Sequence, residues 1–428
     1  MSERGDRASV AAWRTGVGLF LLFLFSALFL YSGAPSLTTI SYEAASAGAA
    51  TGTPAAATST APRGRVATHV PTPKPVRGIY MTSCVAGTPS LRAGLVKLID
   101  ETELNAVVID IKSFDGYISF TPQSPELKGS VGGCHVRDMQ DFIDQLHEKG
   151  IYVIGREASF QDQLMVKIHP EEAVKKASAT STVWRDYKGI AWIDASSRRH
   201  WDYLVSLAQE AHAIGFDEIN FDYIRFPADG NMKDIWYPLS GTKEKPQVVR
   251  SFYEYLHQKL SPLGITISGD LFGMTTTNTD DLNIGQILEY GLANFDYVMP
   301  MVYPSHYPNG FLGYSDPNQH VYEVVKYSMD HAVARAAATS TTMFLPGARI
   351  GTSTPATYAK PAWPKDKLRP WLQDNNYPVP YTPEMVKAQI QAAYDAGLDS
   401  WSLWNAGNRY TRAALLPAGG ELAPNQQR

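Results

Sequence analysis

From Val76 onward, short apolar runs alternate with segments in which apolar residues recur every three or four positions. The runs predict strands and the periodic segments predict helices. The first strand is read at Val76 to Thr82, the second at Ala106 to Lys112 and the third at Ile151 to Glu157. The fourth lies in Gly215 to Pro227, the fifth in Ile265 to Phe272 and the sixth in Asp296 to Tyr303. Thr342 to Ala348 is read as the seventh and Asp399 to Trp404 as the eighth. Between them, Leu91, Leu95, Leu98 and Ile99 form one helical stripe, with Ser90 expected as its N-cap. Met139, Phe142, Ile143 and Leu146 form a second; Leu204, Ala208 and Ala211 a third; Val249, Phe252, Leu256 and Leu260 a fourth. Further helices are expected near Ile284 to Gly291, His320 to Arg335 and Pro383 to Ala396.

Eight strands with intervening helices predict an α/β fold, a (β/α)₈ barrel with long loops after its strands. An open doubly wound sheet would need a Gly-rich phosphate loop after its first strand, and Ser83 to Pro89 lacks that pattern.

The fourth strand carries the strongest chemical signal. In Gly215-Phe216-Asp217-Glu218-Ile219-Asn220-Phe221-Asp222-Tyr223-Ile224-Arg225-Phe226-Pro227, Glu218, Asn220 and Asp222 share one face. The other face is apolar, and Pro227 stops the run. A barrel delivers its catalytic groups at such strand ends. Asp270 sits at the equivalent end of the fifth strand with the same inward parity.

Asp222 and Asp270 therefore form the first catalytic pair, with Asp222 as nucleophile or charge stabiliser and Asp270 as general acid/base. Glycoside hydrolysis uses two such carboxyls, about 5 Å apart when retaining and roughly 6.5–9.5 Å when inverting. Asp110 and Glu157 are reserves, and Arg225 is expected to keep Asp222 ionised. Each of these groups can also be a salt bridge lining the barrel mouth. Candidate sugar contacts are Asp110, Lys112, Glu157, Trp192, Asp194, Arg225, Tyr303, His306, Trp371, Trp404 and Asn405. Aromatic rings beside carboxylates suit pyranose faces and hydroxyls.

Composition narrows the alternatives. The 428 residues include 44% hydrophobic and 19% charged residues, with a formal charge of −4. No basic excess or long Lys/Arg run points to nucleic acid. The ten histidines show no His-Glu-x-x-His spacing, so no metal site or cofactor is expected.

The N-terminal part has a different character. Arg4, Arg7 and Arg14 precede the apolar run Val17 to Tyr31, and the next basic residue is Arg63. This asymmetry predicts residues 1–14 as a cytoplasmic tail and 15–34 as a transmembrane anchor or a signal segment. Residues 35–75, rich in Ala, Thr and Pro, read as a flexible, disordered stalk. The barrel then spans 76–417, with a frayed tail at 418–428. It is expected outside the cytoplasm, tethered by a single membrane pass or secreted after cleavage at a small-residue site such as Ser32-Gly33-Ala34. The two cysteines, Cys84 and Cys134, fall on the same rim, as a disulfide or as two buried thiols.

The fourth-strand stretch resembles the signature of a bacterial glycoside hydrolase domain family related to α-amylase-like barrels. Arg77-Gly78-Ile79-Tyr80, Val107 to Lys112, Trp192-Ile193-Asp194, Ser268 to Gly273, Met299 to Tyr307 and Pro370 to Gln373 fit the same family. The resemblance covers Val76 to Pro417. It implies a glycosidase acting on an extracellular or cell-wall polysaccharide. A non-catalytic carbohydrate-binding barrel and a transglycosylase are the alternatives. α-Amylases carry an Asp after strand four and a Glu after strand five. The shorter Asp270 departs from that pattern, as does Asn220 where amylases have Arg, so an α-glucan substrate does not follow.

Overall fold

The apolar runs become the staves of one closed parallel barrel. A computed structural model describes residues 66–343, 349–352 and 354–420. The barrel strands are β1 (Arg77–Met81), β2 (Ala106–Lys112), β3 (Tyr152–Ala158) and β4 (Glu218–Asp222). They continue with β5 (Thr266–Phe272), β6 (Tyr297–Met301), β7 (Trp371–Gln373) and β8 (Trp401–Trp404). Neighbours pair in chain order, and β8 closes on β1. One helix of seven or more residues follows each of the first seven strands. These are α1 (Pro89–Asp100), α2 (Met139–Glu148), α3 (Arg198–Ala213), α4 (Lys245–Leu260), α5 (Leu288–Asn294), α6 (Val321–Ala337) and α7 (Pro383–Asp395). This is the (β/α)₈ architecture. Every residue of β2 and β3 is buried, since inward side chains fill the barrel and outward ones meet helices.

Local chemistry sets the boundaries. Ser197 accepts the His200 N–H at the start of α3, and Gly215, at φ 115°, takes the left-handed turn beyond its end. Pro383 occupies the first turn of α7, where Thr382 caps Met385. Helix α1 begins two residues earlier than expected. Thr88 holds the cap position and Pro89 opens the helix, because proline has no N–H to leave unsatisfied there.

The seventh strand is a correction. Phe344 to Ala348 lie outside the described residues, and Thr342 and Met343 form a bend. The barrel position belongs instead to Trp371–Gln373. Three residues after Pro370 are too few to show a period. Ser340–Thr341, Arg349–Ile350 and Thr357–Ala359 form a small separate antiparallel sheet.

The barrel's N-terminal face is closed by residues read as stalk. Val70 donates its N–H to Asp217 Oδ1 at 2.7 Å, and Thr72 Oγ1 lies 3.0 Å from the Tyr152 hydroxyl. Residues 66–75 therefore pack on the barrel instead of continuing the linker. Above them, inside the barrel, Glu218 Oε2 accepts Tyr152 OH at 3.0 Å and Arg369 Nη1 at 2.8 Å. The expected cytoplasmic tail, apolar run and remaining stalk lie outside the described residues, as do residues 421–428. No helix among the described residues is long and apolar enough to cross a membrane. At the opposite face, Cys84 and Cys134 are joined as a disulfide, with 4.6 Å between their Cα atoms. It ties the loops that follow β1 and β2.

Candidate active site

Strands β3, β4 and β5 lie side by side and bring their inward polar residues to one level. Arg156 pairs with Asn220 in register, Ala158 with Asp222, and Asn220 with Ser268. Inside the mouth this collects Asp110, Arg156, Asp222 and Asp270, each nearly withdrawn from water.

Arg156 is the hub. Its Nη1 donates to Asp110 Oδ1 at 2.6 Å, and its Nε and Nη2 both donate to Asp222 Oδ2, the former at 3.2 Å. The other Asp222 oxygen accepts the backbone N–H of Tyr223 at 2.6 Å. That contact coincides with an unusual backbone. Tyr223 has φ 52°, which is strained for a bulky residue and typical of functional sites. The other Asp110 oxygen accepts the Tyr80 hydroxyl. Burial pushes the Asp110 carboxyl above its ordinary value, while Arg156 opposes the rise.

Asp270 is held differently. Asn220 Nδ2 and Trp371 Nε1 each donate to its Oδ1 at 2.9 Å. Asn220 Nδ2 also reaches Ser268 Oγ at 3.1 Å. No cation pairs with Asp270 among the described residues. Burial first, then the nearby charge of Asp222, raises its carboxyl well above the usual carboxylate range. The two carboxyls of the expected pair thus stand in opposite surroundings, one against a guanidinium and one against neutral donors.

Aromatic rings wall the mouth. Trp404 stacks on Tyr80 with 4.2 Å between centroids and meets Trp371 edge-on at 5.7 Å. Tyr303 lies 6.4 Å from Trp404 and 5.3 Å from His306, which is exposed on the rim. Trp371 is fully buried, so it offers Asp270 an indole N–H and offers a sugar no face.

Several expected contacts do not reach the mouth. Glu157 faces outward by its parity in β3, opposite to Arg156, and Lys112 leaves because the β2 ladder slips between Asp110 and Lys112 and pairs it with Glu157. Lys112 Nζ then binds Asp162 Oδ2 at 2.8 Å behind the barrel wall. Glu157 is fully buried there, and neither of its carboxyl oxygens has a hydrogen-bond partner. Asp194 staples loops, with Oδ2 accepting the N–H groups of Leu239 and Ser240 at 2.7 and 3.0 Å. Asn405 Nδ2 holds the carbonyls of Asp374 and Arg409, the latter at 2.6 Å, in the loop after β8. Trp192 is buried with its Nε1 donating to Asp186 Oδ2 at 3.1 Å, and serves as a floor under Tyr223 and Arg225. Arg225 forms no ion pair with Asp222; Arg156 takes that place.

Sequence reasoning assigned no role at the site to Arg156, Tyr80, Asn220 or Tyr223. A signal existed for Arg156, whose parity in β3 differs from that of Glu157 and places it inside.

No curated protein matches the chain. A hypothetical protein from Ruminiclostridium thermocellum ATCC 27405 shares 34% identity over 45% of this chain and 96% of its own, with a TM-score of 0.41. The PgaB (BpsB) glycoside hydrolase domain from Bordetella bronchiseptica superposes at a TM-score of 0.52. It covers 77% of this chain and 94% of its own at 13% identity, a likeness of fold. Residues 78–410 match the family described as "Putative glycosyl hydrolase domain", and the chain belongs to that family.

Proposed function

We propose that the barrel is a glycoside hydrolase cleaving an extracellular or cell-wall polysaccharide, with Asp222 and Asp270 as its working pair. The observation that carries this reading is their contrast. Asp222 accepts three hydrogen bonds, two of them from Arg156. Asp270 is raised and has no cation, so it is suited to keep a proton. Two carboxyls pushed apart in this way divide the labour of acid and base. Asp270 gives its proton to the departing glycosidic oxygen. Its Oδ2 is the free end, since both donors bind Oδ1. Asp222 faces the sugar carbon, as a nucleophile or as a stabiliser of positive charge. The family match and the aromatic walls agree with a sugar in the mouth.

The disulfide and the basic residues before the apolar run support a place outside the cytoplasm, tethered or secreted. The test is release of new reducing ends from α-glucans, amino-sugar polymers and peptidoglycan by the wild type, Asp222→Asn and Asp270→Asn. Release by the wild type alone is expected. Equal release by the wild type and both variants would remove the pair from the chemistry. Saturable binding without any release would leave a carbohydrate-binding barrel.

A further inference from the structure

Arg225 stands three residues beyond Asp222, and its charge is held unlike that of Arg156. Its guanidinium carbon lies 5.2 Å from the Trp192 ring centre, 5.6 Å from Tyr223 and 5.7 Å from Phe272. Tyr223 follows Asp222 at the end of β4, and Phe272 lies two residues past Asp270 on β5. The three rings therefore surround the guanidinium close to Asp222. Among the described residues its one hydrogen bond runs from Nη1 to the Phe226 carbonyl at 3.0 Å. No carboxylate forms an ion pair with it among the described residues.

The nearby acids are engaged elsewhere. Asp222 is taken by Arg156 and the Tyr223 N–H. Asp186 accepts Lys188 N–H at 3.0 Å, Ile190 N–H at 2.9 Å and Trp192 Nε1 at 3.1 Å. Asp229 is exposed and takes the Tyr187 N–H at 3.3 Å. Arg225 is only half-buried, so its remaining N–H groups keep contact with solvent. A second cation, Lys188, is exposed on the excursion after β3 and close enough to His306 to oppose its protonation.

A guanidinium walled by aromatic rings, with most of its N–H groups unpaired among the described residues, fits two oxygens of one anion. We propose that Arg225 binds an anionic group on the glycan, a carboxylate, phosphate or sulfate, so that the preferred substrate is an acidic polysaccharide. This rests on the glycoside hydrolase reading above.

The experiment measures binding of matched oligosaccharides to the full chain by calorimetry. The probes are oligogalacturonate with its methyl ester, and maltooligosaccharides with and without phosphate or sulfate. At least one charged member is expected to bind more tightly than its neutral partner, and less tightly as salt rises. The member that does so identifies the anion. Arg225→Gln is expected to weaken that member about 10–100-fold and leave its neutral partner unchanged. Arg225→Lys keeps the charge without the fork and is expected to lose less. It replaces Arg225→Gln if that variant does not fold. Equal binding of charged and neutral partners by the wild type overturns the proposal, as does equal weakening of both by either variant. Turnover of the same compounds is read separately. Charge-selective binding that depends on Arg225, without turnover, would keep the anion site and reject the hydrolase.

Discussion

Arg156 binds Asp222 through two of its guanidinium nitrogens and Asp110 through the third. One cation thereby sets the position of two carboxylates from two other strands. Lysine at 156 supplies a charge without the fork, so it cannot hold both. Arg156→Lys is expected to lower kcat on the cleaved glycan by about 100-fold or more, a typical loss when a fixed electrostatic partner goes. Initial rates check this, and a wild-type kcat would remove Arg156 from the positioning role.

Asp270 is expected to act while protonated. Its carboxyl lies well above its ordinary 3.8, so activity persists above the usual carboxylate range and falls as pH rises through the raised value. Asp270→Asn is expected to lose that descending limb. It is also expected to spare aryl glycosides whose leaving group needs no proton, while losing natural glycosides by 100-fold or more. Equal loss on both substrate types would assign Asp270 another role.

Glu157 is a liability for stability. Burial raises its carboxyl well above 4.5 in the folded state, and its oxygens have no partner. The folded protein therefore holds that proton more tightly than the unfolded chain does. The resulting stability is fully present below about pH 4.5 and is lost as pH rises toward the raised folded value. Glu157→Gln is expected to be more stable than the wild type at pH 7.5 by about 1–3 kcal/mol and to gain little at pH 4. Thermal melts at the two pH values decide this. Glycan cleavage is expected to stay at the wild-type level, since Glu157 faces away from the mouth.

The Cys84–Cys134 bond closes a loop with a sequence separation of 50 residues. In the chain-entropy account a loop of that length stabilises the fold by about 4 kcal/mol. Reduction, or Cys84→Ser with Cys134→Ser, is expected to lower the denaturation midpoint accordingly. An unchanged midpoint would mean that the unfolded chain is not restrained by the bond.

Most of the barrel was legible because long buried strands carry their period openly. Val107 to Ile111 and Ile219 to Asp222 are of this kind. The seventh strand was not, since Trp371-Leu372-Gln373 is held by its neighbours and has no pattern of its own. At the site, the inward parity of Asp222 and Asp270 could be read directly. Lys112 could not be placed, because the slip after Asp110 reverses which way it points and leaves no mark in the sequence. Trp192 looked like a contact because aromatic rings crowd the strand ends, and Asp194 because the resemblance contains it. Their neighbours in space, Tyr223 and Ser240, show that they shape loops.

Residues 66–75 cross the face of the barrel away from the mouth. There Thr68 Oγ1 lies 3.1 Å from His147 Nδ1, near the end of α2. The other end returns to the same side, where the Ala418 N–H bonds the Glu101 carbonyl just past α1 at 3.1 Å. Among the described residues the chain thus enters and leaves the barrel on the side away from the mouth, and a long polymer can reach the mouth without crossing either segment.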